Sequence, residues 1–328
     1  MGVVRQLRQI SADDAGVDIA FRADVHAGFA QKQKAIPARW FYDATGSALF
    51  EDITALPEYY PTRSETDMLT RHSADIAAAI GPGRAVVELG SGSSTKTPLL
   101  LDAIAPAAYV PVDISGDFLR GSAEALAIRF PGLPIYPVEA DFTQRVAMPD
   151  EIAGLPKLGF FPGSTIGNMV ARTAIDLLRN WRCALGEASL LLIGIDRIKD
   201  VATLELAYDD PAGVTAAFNL NLLERINREL GGDIPVENFA HRAIWDDVHA
   251  RIEMHLVAAC DMDFAVDGRG YTMAKGETIH SENSHKYGSR DANLLLRASG
   301  WTPIETWDDA DPAFALILAE ATAFRSAP

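Results

Sequence analysis

Glu88-Leu89-Gly90-Ser91-Gly92 stands where a short apolar run passes into a polar, helix-prone stretch. Two glycines there let the backbone approach a ligand, and the start of the following helix offers unpaired N–H groups to an anion. Asp113, 23 residues after Gly90, closes a second apolar run, and an acid at that point suits the two hydroxyls of a ribose. Asp141 and Phe142 close a third run. Three ligands compete for this arrangement. A dinucleotide site prefers a third glycine where this chain has Thr95, and a phosphate-binding loop ending in Lys96-Thr97 needs glycines spaced differently from Gly90 and Gly92. S-adenosylmethionine (SAM) fits with its carboxylate at the Gly90–Gly92 turn, its ribose on Asp113 and its adenine near Asp141 and Phe142.

On the substrate side, Asn168 ends the run GFFPGSTIGN and offers both a donor and an acceptor to an amino acid's ammonium or carboxylate. Taken alone, an Asn after a Gly is more often a turn or helix-capping residue. Tyr208, Glu282 and Ser284 add polar groups at segment ends. A carboxylate at Glu282 recognises a cationic or N–H-bearing substrate. His280, Glu282 and His285 make a poor metal set, with no H-E-x-x-H spacing and no cysteine nearby, so no metal is expected.

The elements that must position these residues alternate. AVVELGSG (85–92), YVPVDIS (109–115), IYPVEADF (135–142), LGFFPGSTIGN (158–168) and SLLLIGID (189–196) read as strands. Helical patterns lie between most of them, one expected over 66–80 before the first strand and one from Ser94 after it, with Ser or Thr hydroxyls as caps. The pattern predicts an α/β fold with a mostly parallel sheet covered on both faces. TPIETWDD and FALILAEAT, either side of a DADPA turn, predict an antiparallel hairpin at the sheet edge. That hairpin favours SAM over a dinucleotide. Residues 198–285 break the alternation with a long helix and a strand meander. With 1–65 they are expected to form an α+β substrate-binding domain, and 66–197 with 286–328 the SAM-binding core.

Composition sets limits. In 328 residues, 48% hydrophobic and 23% charged, there is ample material for a buried core. A net charge of −16 repels phosphate backbones and anionic lipid, so neither nucleic acid nor membrane is expected as a partner. Cys183 and Cys260, both in apolar segments, are read as reduced core thiols. The first residues carry no apolar leader, and a cytoplasmic protein acting as a monomer is expected.

The segments RWFYD (39–43), LPEYYPTR (56–63), ELGSGSSTKT (88–97), PVDIS (111–115), FFPGSTIGN (160–168), YDDPAGVTAAFNLNLLERINREL (208–230), RIEMHL (251–256) and SENSHKY (281–287) together resemble the SAM-dependent L-histidine Nα-methyltransferases of ergothioneine biosynthesis. The likeness runs through nearly the whole chain in order. It implies a Rossmann-like class I methyltransferase core and three methyl transfers to the α-amine of L-histidine, giving hercynine. By resemblance, Tyr59, Asn168 and Tyr208 grip the amine and carboxylate, Glu282 and Ser284 bond the imidazole nitrogens, and Met254 packs on the ring. Tyr42 lies near the amine, making Tyr42 and Asn168 the expected catalytic pair. Gly90, Gly92, Lys96, Asp113, Asp141 and Phe142 hold SAM. The residues alone give no reason to prefer histidine over another amino acid, and no role for Tyr42, Tyr59 or Met254. The chain departs from the pattern at Asn283 and Tyr287. Methylation of tryptophan or another amino acid is one alternative, and a non-catalytic SAM-binding regulator is another.

Overall fold

The computed structural model describes residues 7–8, 16–92, 95–309 and 314–322. In chain order the elements are β1 (Leu7–Arg8), α1 (Ile19–Phe29), β2 (Lys34–Ala35), α2 (Ala44–Ala55), α3 (Tyr60–Arg71), α4 (Ser73–Ile80), β3 (Ala85–Leu89), α5 (Thr97–Ile104), β4 (Ala108–Asp113) and α6 (Gly116–Arg129). Then follow β5 (Val138–Glu139), β6 (Lys157–Phe161), α7 (Ala171–Leu185), β7 (Leu190–Asp196), α8 (Val201–Tyr208) and α9 (Val214–Leu230). Last come β8 (Phe239–Asp246), β9 (Arg251–Ala258), β10 (Met262–Val266), β11 (Arg269–Met273), β12 (Thr278–His285), α10 (Ser289–Ala298), β13 (Trp301–Asp308) and β14 (Phe314–Ala321).

The chain divides into two compact units, the first built from β1, Pro61–Lys199 and the described residues from His285 onward, the second from residues 16–60 and Asp200–Ser284. In the first unit eight strands run in the order β1-β5-β4-β3-β6-β7-β14-β13. Strands β1 to β7 in this sheet pair in parallel, while β14 runs antiparallel to both β7 and β13. This is the expected α/β arrangement with its edge hairpin. Strands β3, β4, β6, β7 and β14 are largely apolar because both faces are covered, whereas the edge strand β13 is half exposed. Along β3, Ala85, Val87 and Leu89 join the core under α7 and α10, and Val86 joins the core under α3 to α6.

Several boundaries differ from the sequence pattern. The helix expected over 66–80 is two helices, broken at His72, whose backbone (φ −102°, ψ 12°) leaves the helical region. Of residues 1–65, expected to belong with the insertion, 16–60 do so; β1 instead pairs with β5 at the edge of the large sheet, and α3 belongs to the first unit from Pro61 on. Both cysteines are exposed, not core: Cys183 lies outside the buried stripe of α7 and Cys260 in the turn after β9. The expected DADPA turn lies, beyond Asp309, outside the described residues, as do Ser93 and Ser94.

The second unit holds a four-stranded sheet, β2-β12-β9-β8, and the β10-β11 hairpin. The long helix α9 buries Phe218, Leu222, Leu223 and Ile226, an i, i+4, i+5, i+8 stripe. No helix among the described residues is long and apolar enough to cross a membrane.

Candidate active site

In the first unit, β3 is central, with β4 on one side and β6, which follows later in the chain, on the other. Ligands of open α/β sheets bind outside the carboxyl ends of the strands at such a reversal. The Gly90 turn stands there. Gly90 adopts φ +68°, and a Cβ on it would lie 3.1 Å from the Phe142 ring, so glycine is required both by conformation and by space. The Gly90 and Ser91 amides donate to the Val112 carbonyl (2.9 and 3.1 Å), which ties the turn to the end of β4.

Asp113 is buried at the end of β4. Its carboxylate accepts from the Gly92 amide (2.8 Å), the Ser115 amide (2.9 Å) and the Ile114 amide, and keeps a lone pair for a ligand hydroxyl. Burial pushes its pKa up against these backbone donors. Asp141 caps its own loop, accepting from the Thr143 amide (2.9 Å) and hydroxyl (2.6 Å), and Phe142 stands edge-on to Phe161 with centroids 5.8 Å apart. The structure thus joins Gly90 with Phe142, and Gly92 with Asp113. This open glycine turn, flanked by an aromatic ring and a carboxylate with a spare lone pair, fits the nucleoside and amino-acid ends of SAM.

Lys96 is placed differently. It is the N-terminal flanking residue of α5 and its side chain does not cap the helix; Thr97, one of the hydroxyls offered as caps, instead donates to Glu88 (2.7 Å). The Lys96 ammonium pairs with Glu65 of α3, a fully buried carboxylate. Glu65 also accepts from the Gly163 amide just after β6 (2.8 Å). A Cβ at Gly194 of β7 would fall 2.0 Å from a Glu65 oxygen, so a glycine in the middle of an apolar strand makes room for this acid. The sequence reading missed Glu65. The signal was present: Pro61, Glu65, Met68 and Leu69 form the buried stripe of α3, and only one of them is charged.

Glu88 is a second acid that motif reading named without a role. Fully buried, it accepts from Thr97 and from the Tyr109 hydroxyl (2.5 Å). Burial is the main cause that pushes its pKa up to about 7, with the two hydroxyls and Lys96 acting in the other direction. A carboxyl raised in the folded state contributes stability fully below its unfolded value of ~4.5, and that contribution is lost as pH rises through 7. Glu88→Gln, which cannot ionise, is expected to flatten this dependence. Chemical denaturation at pH 5 and pH 8.5 should show the wild-type chain losing on the order of 3 kcal/mol more than the variant between the two.

Asn168 closes a 3-10 turn, Thr165–Asn168, entered through Ser164 in a left-handed conformation (φ +54°). It does not cap α7, where Val170 holds that place. The turn is fixed by Ser164 Oγ, which accepts from the Asp196 amide (2.9 Å), and by His285 Nδ1, which pairs with the Gly167 carbonyl (2.8 Å). Burial pushes Asp196 up, but Lys286 and Lys199 outweigh it and hold the carboxyl below its usual range. Of the two departures from the family pattern, Tyr287 packs on the core with its hydroxyl pushed up to about 12 by burial, and Asn283 Oδ1 is buried without a protein partner.

In the second unit an aromatic chain connects the residues expected on the substrate side. The Tyr42 ring meets Phe50 (5.7 Å) and Phe218 (5.9 Å), Phe50 meets Tyr59 (6.2 Å), and Tyr59 meets Tyr208 (6.0 Å). The Tyr208 hydroxyl lies 2.7 Å from Ser284 Oγ. Met254 is buried in β9 beside Ser281, whose hydroxyl donates to the Met254 carbonyl (3.1 Å). Glu282 is half-buried on the neighbouring β12.

Two supports were not visible in the sequence. Asp43, next to Tyr42, caps α2 through the Gly46 amide (2.7 Å) and accepts from Asn221 (2.9 Å) and Arg228 of α9. Burial alone would raise its pKa, but these donors hold it below the usual range. Asn219 donates to His241 Nδ1 (2.8 Å), which leaves the proton on Nε2 to reach the Tyr208 carbonyl (2.8 Å). Burial lowers the pKa of His241, in keeping with this neutral tautomer.

Comparison with known proteins decides the family. The family described as histidine-specific, SAM-dependent methyltransferases matches residues 21–321. The chain belongs to this family. The histidine N-alpha-methyltransferase of Mycolicibacterium smegmatis is 39% identical over 94% of this chain and 97% of its own length. The enzyme of the same name from Mycobacterium tuberculosis is 40% identical over 94% and 96%. Ergothioneine biosynthesis protein 1 of Neurospora crassa is 28% identical over 89% of this chain, which spans 34% of that longer protein. As a member of the histidine-specific methyltransferases the chain is a SAM-dependent enzyme.

Proposed function

We propose that this protein transfers three methyl groups from SAM to the α-amine of L-histidine, giving hercynine, the first step of ergothioneine biosynthesis. The observation that carries the reading is the family match across residues 21–321, with near-full-length relatives that act as histidine N-alpha-methyltransferases. In this reading Gly90, Gly92, Lys96, Asp113, Asp141 and Phe142 hold SAM, which supplies an electrophilic methyl group on a sulfonium.

The chain's own residues bind and orient the nucleophile. Tyr59, Asn168 and Tyr208 take the α-amine and carboxylate, Glu282 and Ser284 the imidazole nitrogens, and Met254 the ring face. Tyr42 stands near the amine. An α-amine titrates near pH ~8, so a useful neutral fraction is present without a strong base, and a tyrosine hydroxyl or water chain suffices to carry its proton away. Most of the rate then comes from alignment. Three rounds require a grip that does not depend on amine protons, which the carboxylate and imidazole contacts provide. The rigid aromatic chain from Tyr42 to Tyr208, pinned by Asp43 and His241, supports such fixed placement. The enzyme works on the free amino acid, and its net charge of −16 disfavours nucleic acid and anionic membrane as partners.

A panel of free amino acids, each incubated with SAM and purified protein and separated for methylated products, tests substrate choice. Histidine alone should be methylated. Methylated tryptophan with untouched histidine would overturn the reading.

A further inference from the structure

A second cluster in the second unit is not used by this chemistry. Glu253 and His255 of β9 and His280 of the neighbouring β12 each present one ligand atom, and these atoms lie within 4.8 Å of one another. Two imidazoles and a carboxylate form a donor set suited to Zn2+ and its first-row neighbours, whereas Mg2+ and Ca2+ prefer oxygen alone. The sequence had offered only a different trio, His280 with Glu282 and His285, whose spacing gave no reason to expect a metal. His285 is committed elsewhere, its Nδ1 on the Gly167 carbonyl.

The surroundings match what ligating side chains need. His280 Nε2 pairs with the Glu282 carbonyl (2.9 Å), which places the proton there and leaves Nδ1 as a lone pair. Glu253 Oε1 is held by Arg251 Nε (2.9 Å), and Oε2 is aimed at His255 Nε2 (2.8 Å). Arg251 thus orients the carboxylate through Oε1, and Oε2 becomes available to a cation once His255 turns. His255, only 8% exposed, has a buried Nδ1 with no partner. The His255 and His280 rings stack at 4.7 Å and 22° from parallel. A metal lies in the plane of each imidazole it binds, so one ring must turn about its Cβ–Cγ bond. His255 is the ring that can do so, because its one partner is the Glu253 side chain, itself a proposed ligand, whereas His280 is tied to the backbone of Glu282.

We propose that Glu253 Oε2, one ring nitrogen of His255 and His280 Nδ1 bind a single divalent transition-metal ion, of which Zn2+ is the best fit. The ion braces β9 against β12 and takes no part in methyl transfer. Through the Nε2 bond of His280 it steadies the backbone of Glu282.

The test uses tag-free, full-length protein carrying Cys183→Ser and Cys260→Ser, because both exposed thiols would bind Zn2+ themselves. Histidine, itself a chelator, is left out. Zn2+ is titrated in competition with a chromogenic chelator, and Co2+ uptake is followed by its absorption spectrum. One ion per chain is expected, with a low-symmetry Co2+ spectrum free of thiolate bands. His255→Ala and His280→Ala should each weaken uptake by about tenfold or more while SAM binding persists. Glu253→Gln, which keeps an oxygen for Arg251, should weaken it too and covers the case in which a histidine variant does not fold. Absence of stoichiometric uptake, or uptake unchanged in all three variants, would overturn the proposal.

Discussion

Glu282→Ala is expected to raise the KM for histidine by about 10- to 100-fold while leaving the KM for SAM within about twofold. The size follows from a hydrogen bond to a charged group, worth roughly 1.5–3 kcal/mol net. Glu282 is half-buried on β12, and in the proposed function its carboxylate accepts the imidazole N–H. A site built around such an acceptor rejects substrates that lack the donor more strongly than apolar packing does. The backbone of this position is already engaged, with its carbonyl taking His280 Nε2, so truncation should cost recognition and not the strand. Glu282→Gln should lie between the two, since an amide oxygen still accepts. Steady-state kinetics with each substrate varied in turn gives the answer. An unchanged histidine KM would remove Glu282 from the substrate site.

The second large effect concerns Glu65. Its carboxylate is fully buried, paired with Lys96 and bonded by the Gly163 amide, with Gly194 of β7 making room. Glu65→Ala leaves a largely buried ammonium without its partner and a backbone N–H without an acceptor. Breaking one side of such a pair costs about 3–5 kcal/mol. The thermal midpoint should fall by many degrees. Glu65→Gln is the sharper variant, because it keeps the volume and the acceptor for Gly163 while removing the charge that holds Lys96. It should fold, and raise the KM for SAM about tenfold with the histidine KM little changed. A rise confined to histidine, or no rise at all, would show that the Glu65–Lys96 pair is structural only.

The residues show why some features were legible in the sequence and others were not. Continuous apolar runs such as Leu190–Ile195 and Phe314–Leu318 mark strands buried on both faces, and the hairpin follows from the second of them and the mixed strand Trp301–Asp308 before it. The break at His72 left no mark, because helical periodicity continues on both sides of it. The third expected strand shrinks to Val138–Glu139, joined only by an isolated bridge at Ile135. Gly90, Gly92 and Asp113 could be found because their roles depend on local spacing. Glu65 could not be placed: its partners lie 31 and 98 residues away, and only the fold brings them together. What sequence does display is the anomaly, a charge on a buried helical stripe at Glu65 and inside an apolar strand at Glu88. Both turned out to be engaged by specific donors. The histidine substrate was legible only through family resemblance, since nothing in the polar groups of β12 singles out an imidazole.

The central claim is the number and position of the methyl groups. The most direct measurement is mass spectrometry with fragmentation of the product formed when purified protein exhausts L-histidine in excess SAM. The account predicts a product heavier by three CH2 equivalents, readily losing trimethylamine and retaining an unsubstituted imidazole. A product methylated on a ring nitrogen, or one that stops at a single methyl group under exhaustive conditions, would contradict it.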